Sequence, residues 1–476
     1  MTKRPSLVTV QAHSSLLNIR WDPEFSTRRE LSYESENESY LRSIADWESE
    51  NPVGSTGWLE DLDNAVRGFM RGPDQSDACT PEADIVLAFC HNSTFKQLLG
   101  QTEAIHSTDM SARFVTDPDG LVFHALIGTA SRLQAYALRN LLYRHLTTQT
   151  FIGVSFALAG YGMFELAFHL PYYAWRDAEA QIEDPRRDFN GRPMRQSHDV
   201  SFLNWQNDGQ RSFIYQAQNS CVVAGTDIWR WVGYCFVESY FDRDNEARET
   251  VMAHIKDGQE GGISLDPCTY GRYSLEDNIK DPREWFLLVF QCRLYQIQGE
   301  WRQVVNKVVQ SVRDYEVPQR SCALTRQTNP RYFREDKEQR KEMRKLVQWA
   351  VTTRRLLTLL SPCLARTVDA CDKFCLEYAA YFLDVPGEID ASFCYLQSIF
   401  GDLKSMKKTL EDTAHSCDCF SQNVSFSAFA QLSFKVLQLI ISPMQLELRL
   451  GNDQRELARK NNWMGYVVMV SPYQTW

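Results

Sequence analysis

The chain lacks an unbroken apolar run of the about 20 residues that a membrane-crossing helix needs. Its apolar, aromatic stretch from Thr150 to Ala174 is interrupted by Glu165, His169, Pro171 and Gly153, Gly160 and Gly162, which argues for two buried strands joined by a turn near Gly160 to Gly162. A secretory signal is missing too, because the basic start Met1-Thr2-Lys3-Arg4-Pro5 is followed by Gln11, His13, Ser14 and Ser15 and not by an apolar core. There is no excess of positive charge: 51 basic residues stand against 61 acidic ones, a formal charge of -10 that repels polyanions and excludes nucleic acid as the expected partner. Phosphate-binding loops need glycines at set offsets so that backbone amides reach the anion, and neither G-x-x-x-x-G-K-[ST] nor G-x-G-x-x-G occurs. The G-x-S-x-G elbow and the H-E-x-x-H zinc helix are absent as well. Four common enzyme classes lose their simplest signature.

What is present suits a packed protein. Hydrophobic residues make up 43% and charged residues 24%, and 12 Trp, 20 Tyr and 26 Phe supply large side chains to bury. At 476 residues the chain exceeds the size at which one core stops growing, so more than one packed region is expected. The 13 cysteines, an odd number scattered from Cys79 to Cys419, read as reduced and mostly buried thiols in a cytoplasmic setting. The glycosylation patterns at Asn37, Asn92 and Asn423 carry no weight there.

Along the chain, Glu30 to Glu50 is acidic and serine-rich, and turn residues punctuate Asn51 to Gly57 and Arg71 to Asp74. Between Gly128 and His145, Leu133, Ala137, Leu141 and Leu142 share one stripe of an amphipathic helix. Arg211 to Tyr240 is rich in β-branched and aromatic residues, with a turn expected at Gly225-Thr226-Asp227, and predicts strands of the same sheet. After Asp281-Pro282-Arg283, a helix start with proline in the first turn, the period changes to about 3.6. Phe286, Val289, Phe290, Leu294, Ile297, Trp301, Val304, Val305, Val308 and Val312 form one stripe, expected to end before Pro318. Glu335 to Asp384 is helical, with Pro362 expected to kink or split it. Leu396, Ile399, Phe400, Leu403, Met406 and Leu410 continue the helical pattern.

Several residue groups invite a chemical reading. Ser197-His198-Asp199 has the composition of a triad, but adjacent side chains point in different directions, so a polar turn before a strand at Val200 is the favoured reading. Glu165 and His169 stand four apart, a metal spacing on a helix but not on a strand, which favours a buried, hydrogen-bonded histidine. His415, Cys417 and Cys419, with Cys371 and Cys375, are zinc-ligand types, but two-residue spacing on a helix sends alternate residues to different faces. The basic run Arg331 to Lys345 is diluted by Glu335, Asp336, Glu338 and Glu342 and reads as a solvated helical face. No catalytic or cofactor-binding residue is assigned on this basis, no metal ligand set is fixed, no small-molecule substrate can be named, and enzyme activity is not expected.

The order of segments carries more information than any motif. The blocks Phe151 to Arg176, Ser220 to Asp242 and Asp281 to Leu287 resemble a group of filamentous-fungal proteins that is itself distantly similar to CorA-type magnesium transporters, over roughly Leu121 to Leu450. The resemblance implies an α/β cytoplasmic domain, long stalk helices and two closing membrane helices, with a divalent cation such as magnesium as the associated ion. It also implies a homo-oligomer or an association with a membrane. The chain departs from that plan where Trp463-Met-Gly-Tyr-Val-Val-Met-Val-Ser-Pro472 resembles the start of a first span that is not completed, and no Gly-Met-Asn follows. Val424 to Gln445 interrupts the stalk pattern and reads either as an insertion or as an amphipathic elaboration.

The expected fold is therefore α+β, an α/β domain with a mixed sheet followed by a bundle of long helices. Residues 1–120 form an irregular and helical region, 121–280 the sheet domain and 281–476 a stalk-like helical region with an atypical end. The expected function is that of a CorA-like cytoplasmic domain that does not itself transport, peripheral to a membrane. A soluble interaction or accessory protein is the alternative.

Overall fold

Long runs of aromatic and β-branched residues form extended strands, and in the computed structural model two such runs, one of them carrying Pro171 within it, make the spine of the sheet. The structure describes residues 21–28, 110–130, 132–157, 162–187, 191–204, 211–242, 265–274, 279, 281–328, 337–383, 391–419 and 422. They belong to two compact units, one of Met1–Thr325 with Arg355–Ala414 and one of Arg326–Arg354 with His415–Trp476. Val424 to Gln445 and the segment from Trp463 lie outside the described residues.

The fold is α+β, with one mixed six-stranded sheet. The strands are β1 (Met110–Thr116), β2 (Phe151–Ala157), β3 (Met163–Ala178), β4 (Ser197–Asp199), β5 (Arg211–Asp227) and β6 (Arg230–Val237), in the order β1-β6-β5-β3-β2. β1 runs parallel to β6 and every other pairing is antiparallel. β5 is long enough for β6 to pair with its second half while β4 pairs with its first. The expected pair of strands from Phe151 onward is present as β2 and β3. β1 falls within the first 120 residues, where only loops and helices were expected; a lone seven-residue strand far from its partner gives little periodic signal.

Two strand details correct the sequence reading. Ser197–Asp199 is a short strand, and Val200 leads into a 3-10 turn over Ser201–Leu203. The turn between β5 and β6 lies at Ile228 and Trp229, beyond Gly225-Thr226-Asp227, where Asp227 Oδ1 accepts 3.0 Å hydrogen bonds from the amides of both Trp229 and Arg230. Gly225 serves close strand approach at a register shift: a Cβ there would lie 2.5 Å from the Arg230 carbonyl oxygen.

Helices α1 (Gly120–Thr129) and α2 (Arg132–Leu146) cover one face of the sheet. Asp119 caps α1 by accepting from the Val122 amide at 2.9 Å. Phe123, Leu126, Ile127, Leu138, Leu141 and Leu142 pack there on Ala167, Val222, Ala224, Val232, Tyr234 and Phe236. Alternation along the strands puts those sheet residues on one side and gives the other side to α3 (Pro282–Thr328). Asp281 Oδ1 accepts from the Arg283 amide at 2.8 Å, so the helix starts where the sequence predicted.

On that second face Phe286 and Phe290 meet Phe168, and Trp285 lies over Gly233 and against Trp231. Phe290 also meets Phe374 and Phe400, and Phe286 stacks on Phe382, which joins α3 to the end of α4 (Lys337–Lys373) and to a helix over residues 391–419, α5. The predicted stripe from Phe286 to Val312 is buried throughout.

The helix end expected before Pro318 fails, and of the kink or split expected at Pro362 the split fails. α3 stays helical past Pro318 to Thr328, and α4 is not split at Pro362. A proline forfeits one backbone hydrogen bond, and around Pro362 the burial of Leu360, Cys363 and Leu364 holds the helix together. After Lys373 the chain widens into a π-helical turn, Phe374–Tyr378, and then tightens into a 3-10 turn, Ala379–Phe382. Among the described residues no helix is long and apolar enough to cross a membrane.

The contact of α3 with the sheet depends on the missing side chain of Gly233. A Cβ at that position would lie 2.7 Å from Trp285 Cη2 and 2.8 Å from Cζ3. Gly233→Ala is expected to destabilise the protein by about 1–3 kcal/mol through overpacking, measured by denaturant unfolding. An unchanged midpoint would show that the indole moves aside freely.

Candidate functional site

β-Strands that are buried on both faces are usually apolar, so polar side chains in their centre need partners. Beneath α2 the sheet carries several. His169 on β3, Gln218 and Ser220 on β5 and Glu238 just after β6 point to the same side as His145 near the end of α2. All five are essentially inaccessible, with Glu238 the most exposed at 1%.

Ser220 is the junction. Its Oγ lies 3.0 Å from His145 Nδ1, 3.0 Å from His169 Nδ1 and 3.1 Å from Gln218 Nε2. The same Gln218 Nε2 donates to the Arg144 carbonyl oxygen at 3.1 Å, which can only accept, so the amide is oriented with its nitrogen toward Ser220. One serine lone pair is thereby used. His145 Nε2 lies 3.2 Å from Glu238 Oε1, out of line for a full hydrogen bond but too close for two facing lone pairs, which places the His145 proton on Nε2. The bare His145 Nδ1 then accepts from the Ser220 hydroxyl. A hydroxyl has one proton, so His169 must donate from Nδ1 into the remaining lone pair. His169 Nε2 is left as a buried lone pair with no hydrogen-bond partner among the described residues.

Glu238 is the charged end of this chain. Arg195 Nε approaches its two oxygens at 3.0 and 2.8 Å, Arg186 Nη1 lies 2.9 Å from Oε1, and the Gln218 amide donates to Oε2 at 2.8 Å. Asp184 completes the group, accepting from Arg186 Nε at 2.9 Å and Nη2 at 2.8 Å and from the Arg195 amide at 3.1 Å. Two carboxylates thus neutralise two guanidiniums inside the protein. Arg195 also donates to the carbonyl oxygens of His145 and Leu146, so a cation sits on the negative end of α2.

The electrostatics follow from burial and these neighbours. Burial alone would raise the Glu238 carboxyl, but Arg186 and Arg195, with His145, hold it well below the ordinary carboxylate range. Burial lowers His145 to about 4 against the opposing pull of Glu238, and lowers His169 well below its ordinary value, with Arg144 and His145 adding to the effect. Both imidazoles are neutral at pH 7.

Carboxylate, imidazole and hydroxyl in sequence have the connectivity of a nucleophilic triad, yet the arrangement is closed. Ser220 lies mid-strand between His169 on β3 and Phe236 on β6, and its Oγ is already occupied by three partners. Ser220 and the two neutral imidazoles form a hydrogen-bonded chain across the sheet with Glu238 as its charged end.

The residues singled out from sequence fare differently. His169 is the buried, hydrogen-bonded histidine that the strand spacing suggested. Ser197, His198 and Asp199 do not assemble: Ser197 meets Gln181, and Asp199 meets Arg211 and the Ser201 amide. On α5, His415 Nε2 lies 3.6 Å from Cys419 Sγ, while Cys417 is buried. Cys371 is buried near the end of α4 and Cys375 half-buried in the π-turn. Among the described residues no three His, Cys, Asp or Glu side chains are arranged to hold a metal ion. Within the basic run, Lys341, Arg344 and Lys345 are exposed on α4, and 331–336 lie outside the described residues. Sequence reasoning missed the junction because its members come from separate elements; the one available signal was polar residues inside apolar strands, which had picked out only Glu165 and His169.

Compared with protein-family models and with curated proteins, the chain matches none.

Two measurements check this site. Nitrogen NMR of the imidazoles should find His145 protonated on Nε2 and His169 on Nδ1; His169 carrying its proton on Nε2 would break the deduced chain. Glu238→Ala should cost about 3–5 kcal/mol of stability, because it strands Arg186 and Arg195 without a counter-charge. A loss below about 1 kcal/mol, the scale of an exposed pair, would mean that water compensates them.

Proposed function

We propose that the chain is a non-catalytic scaffold or interaction module, whose sheet body presents long helices in the manner of a CorA-like cytoplasmic domain and does not itself transport ions. The observation that carries this reading is the closure of the Glu238–His145–Ser220 chain, the place among the described residues where acid, base and hydroxyl meet. Support for the helical part comes from α3, whose 47 residues span about 70 Å at 1.5 Å per residue. Its outer side exposes Arg302, Gln303, Asn306, Lys307 and Arg313, a solvated polar face. The alternative, an interaction or accessory protein without ties to a membrane, rests on the same closed junction.

The test assays the purified chain for ester, amide and phosphoester hydrolysis and for nicotinamide-linked redox turnover, with Ser220→Ala as control. No turnover above the control is expected. Turnover lost in a folded Ser220→Ala protein would overturn the non-catalytic reading. Thermal unfolding with millimolar magnesium separates the two forms: a ligand that binds only the folded state raises the midpoint, which supports the CorA-like form, whereas no rise favours the accessory form.

A further inference from the structure

The same face of the sheet holds a second buried carboxylate that is treated very differently. Glu165 lies on β3 two alternations before His169, opposite Ser155 of β2 and Ala224 of β5 in register. It is 4% exposed. Among the described residues it accepts one hydrogen bond, from Asn140 Nδ2 on α2 at 3.1 Å, and makes no ion pair. Glu238 has two guanidiniums and a backbone amide; Glu165 has one neutral amide.

The groups around Glu165 can be named element by element. α2 contributes Asn140 and Arg144, β2 and β5 place Ser155 and Ala224 opposite Glu165 in register, and Tyr136 and Tyr378 act on Arg144. Arg144 is the cation that acts on Glu165, but its guanidinium is stacked 3.7 Å from the centre of the Phe151 ring. A buried carboxylate without a paired cation favours its neutral form.

We propose that Glu165 is a proton-binding site beneath α2, and that its proton makes the contact between α2 and the sheet a pH-sensitive latch. With the proton bound, the neutral acid and Asn140 share an apolar seam and α2 sits closed on the sheet. When the proton leaves, the carboxylate needs water or Arg144, and either one disturbs the seam or draws the guanidinium off Phe151.

Burial raises the Glu165 carboxyl from 4.5 to about 7, with Asn140 and Arg144 opposing it only in part. Folding therefore takes up a proton here. The stabilisation from this group is complete below 4.5, the unfolded value, and is lost as pH rises through about 7. His145 and His169 work in the opposite sense: both are lowered by burial from 6.5, so their contribution is present above that value and is lost as pH falls. The wild-type profile sums the two trends, and a variant is needed to separate them.

Glu165→Gln keeps the shape and cannot ionise. Stability of wild type relative to this variant should fall as pH rises from 4.5 toward about 7 and then level off. A constant difference across that window overturns the proposal. Infrared titration of Glu284→Gln protein carrying carbon-13 glutamate decides independently of whether the Glu165 variant folds: the label sets Glu165 apart from Asp266, which burial also raises, to about 6, and the substitution removes Glu284, another glutamate that burial raises. A protonated glutamate carbonyl band that persists past the ordinary range and fades near 7 supports the latch; its absence above pH 6 sinks it.

Discussion

The buried carboxylate of Glu238 sets the geometry around it. A charge of that kind inside a protein is tolerated only when its neighbours are fixed and correctly aimed, so its presence constrains every element that supplies a partner. Arg186 and Arg195 come from the segment between β3 and β4, the Gln218 amide from β5, His145 from α2, and Glu238 itself follows β6. Moving any of these elements would unpair a charge. Apolar contacts press α2 onto the sheet, but they would accept many seats; the ionic junction accepts one.

Both faces of the sheet use the same principle with different materials. On the α2 side, polar groups specify the fit amid a layer of Leu, Ile, Val and Phe. On the α3 side, aromatic rings interlock, with Phe168, Phe286, Phe290, Phe374, Phe382 and Phe400 in mutual contact and Arg293 buried against the carbonyl oxygens of Pro267 and Cys268. At the sheet's far corner Arg176 bridges Asp242 and Glu300, tying β3 to α3 by charge. These pairs are partly exposed, and screening leaves them weaker than the junction under α2.

What could be read from sequence divides along physical lines. Periodicity reports local burial, so the long stripe of α3, the amphipathic α2 and the apolar runs of β2, β3, β5 and β6 were legible. A parallel strand such as β1 is specified by a partner far along the chain and leaves little local trace. The proline rule was over-read at Pro318, where the helix continues to Thr328, and for a split at Pro362, where it weighs one lost hydrogen bond and not the burial of Leu360, Cys363 and Leu364. The junction was invisible for a related reason: His145, Ser220 and Glu238 are each unremarkable in their own segments, and only the strand register brings them together. His169 was noticed because it is polar within its own apolar run.

The pairing of Met110 with Trp231 has a consequence for how the protein is made. The hairpins of β2 with β3 and of β5 with β6 close over short loops and can form as soon as their residues leave the ribosome. β1 leaves much earlier and cannot pair until β6 has followed it. Through that interval Phe114 and Val115, buried at 3% and 4% exposure in the finished sheet, lack their strand partners Cys235 and Phe236. The nascent chain therefore carries a waiting, pairing-competent strand, the kind of segment on which chaperones act and from which misassembly starts.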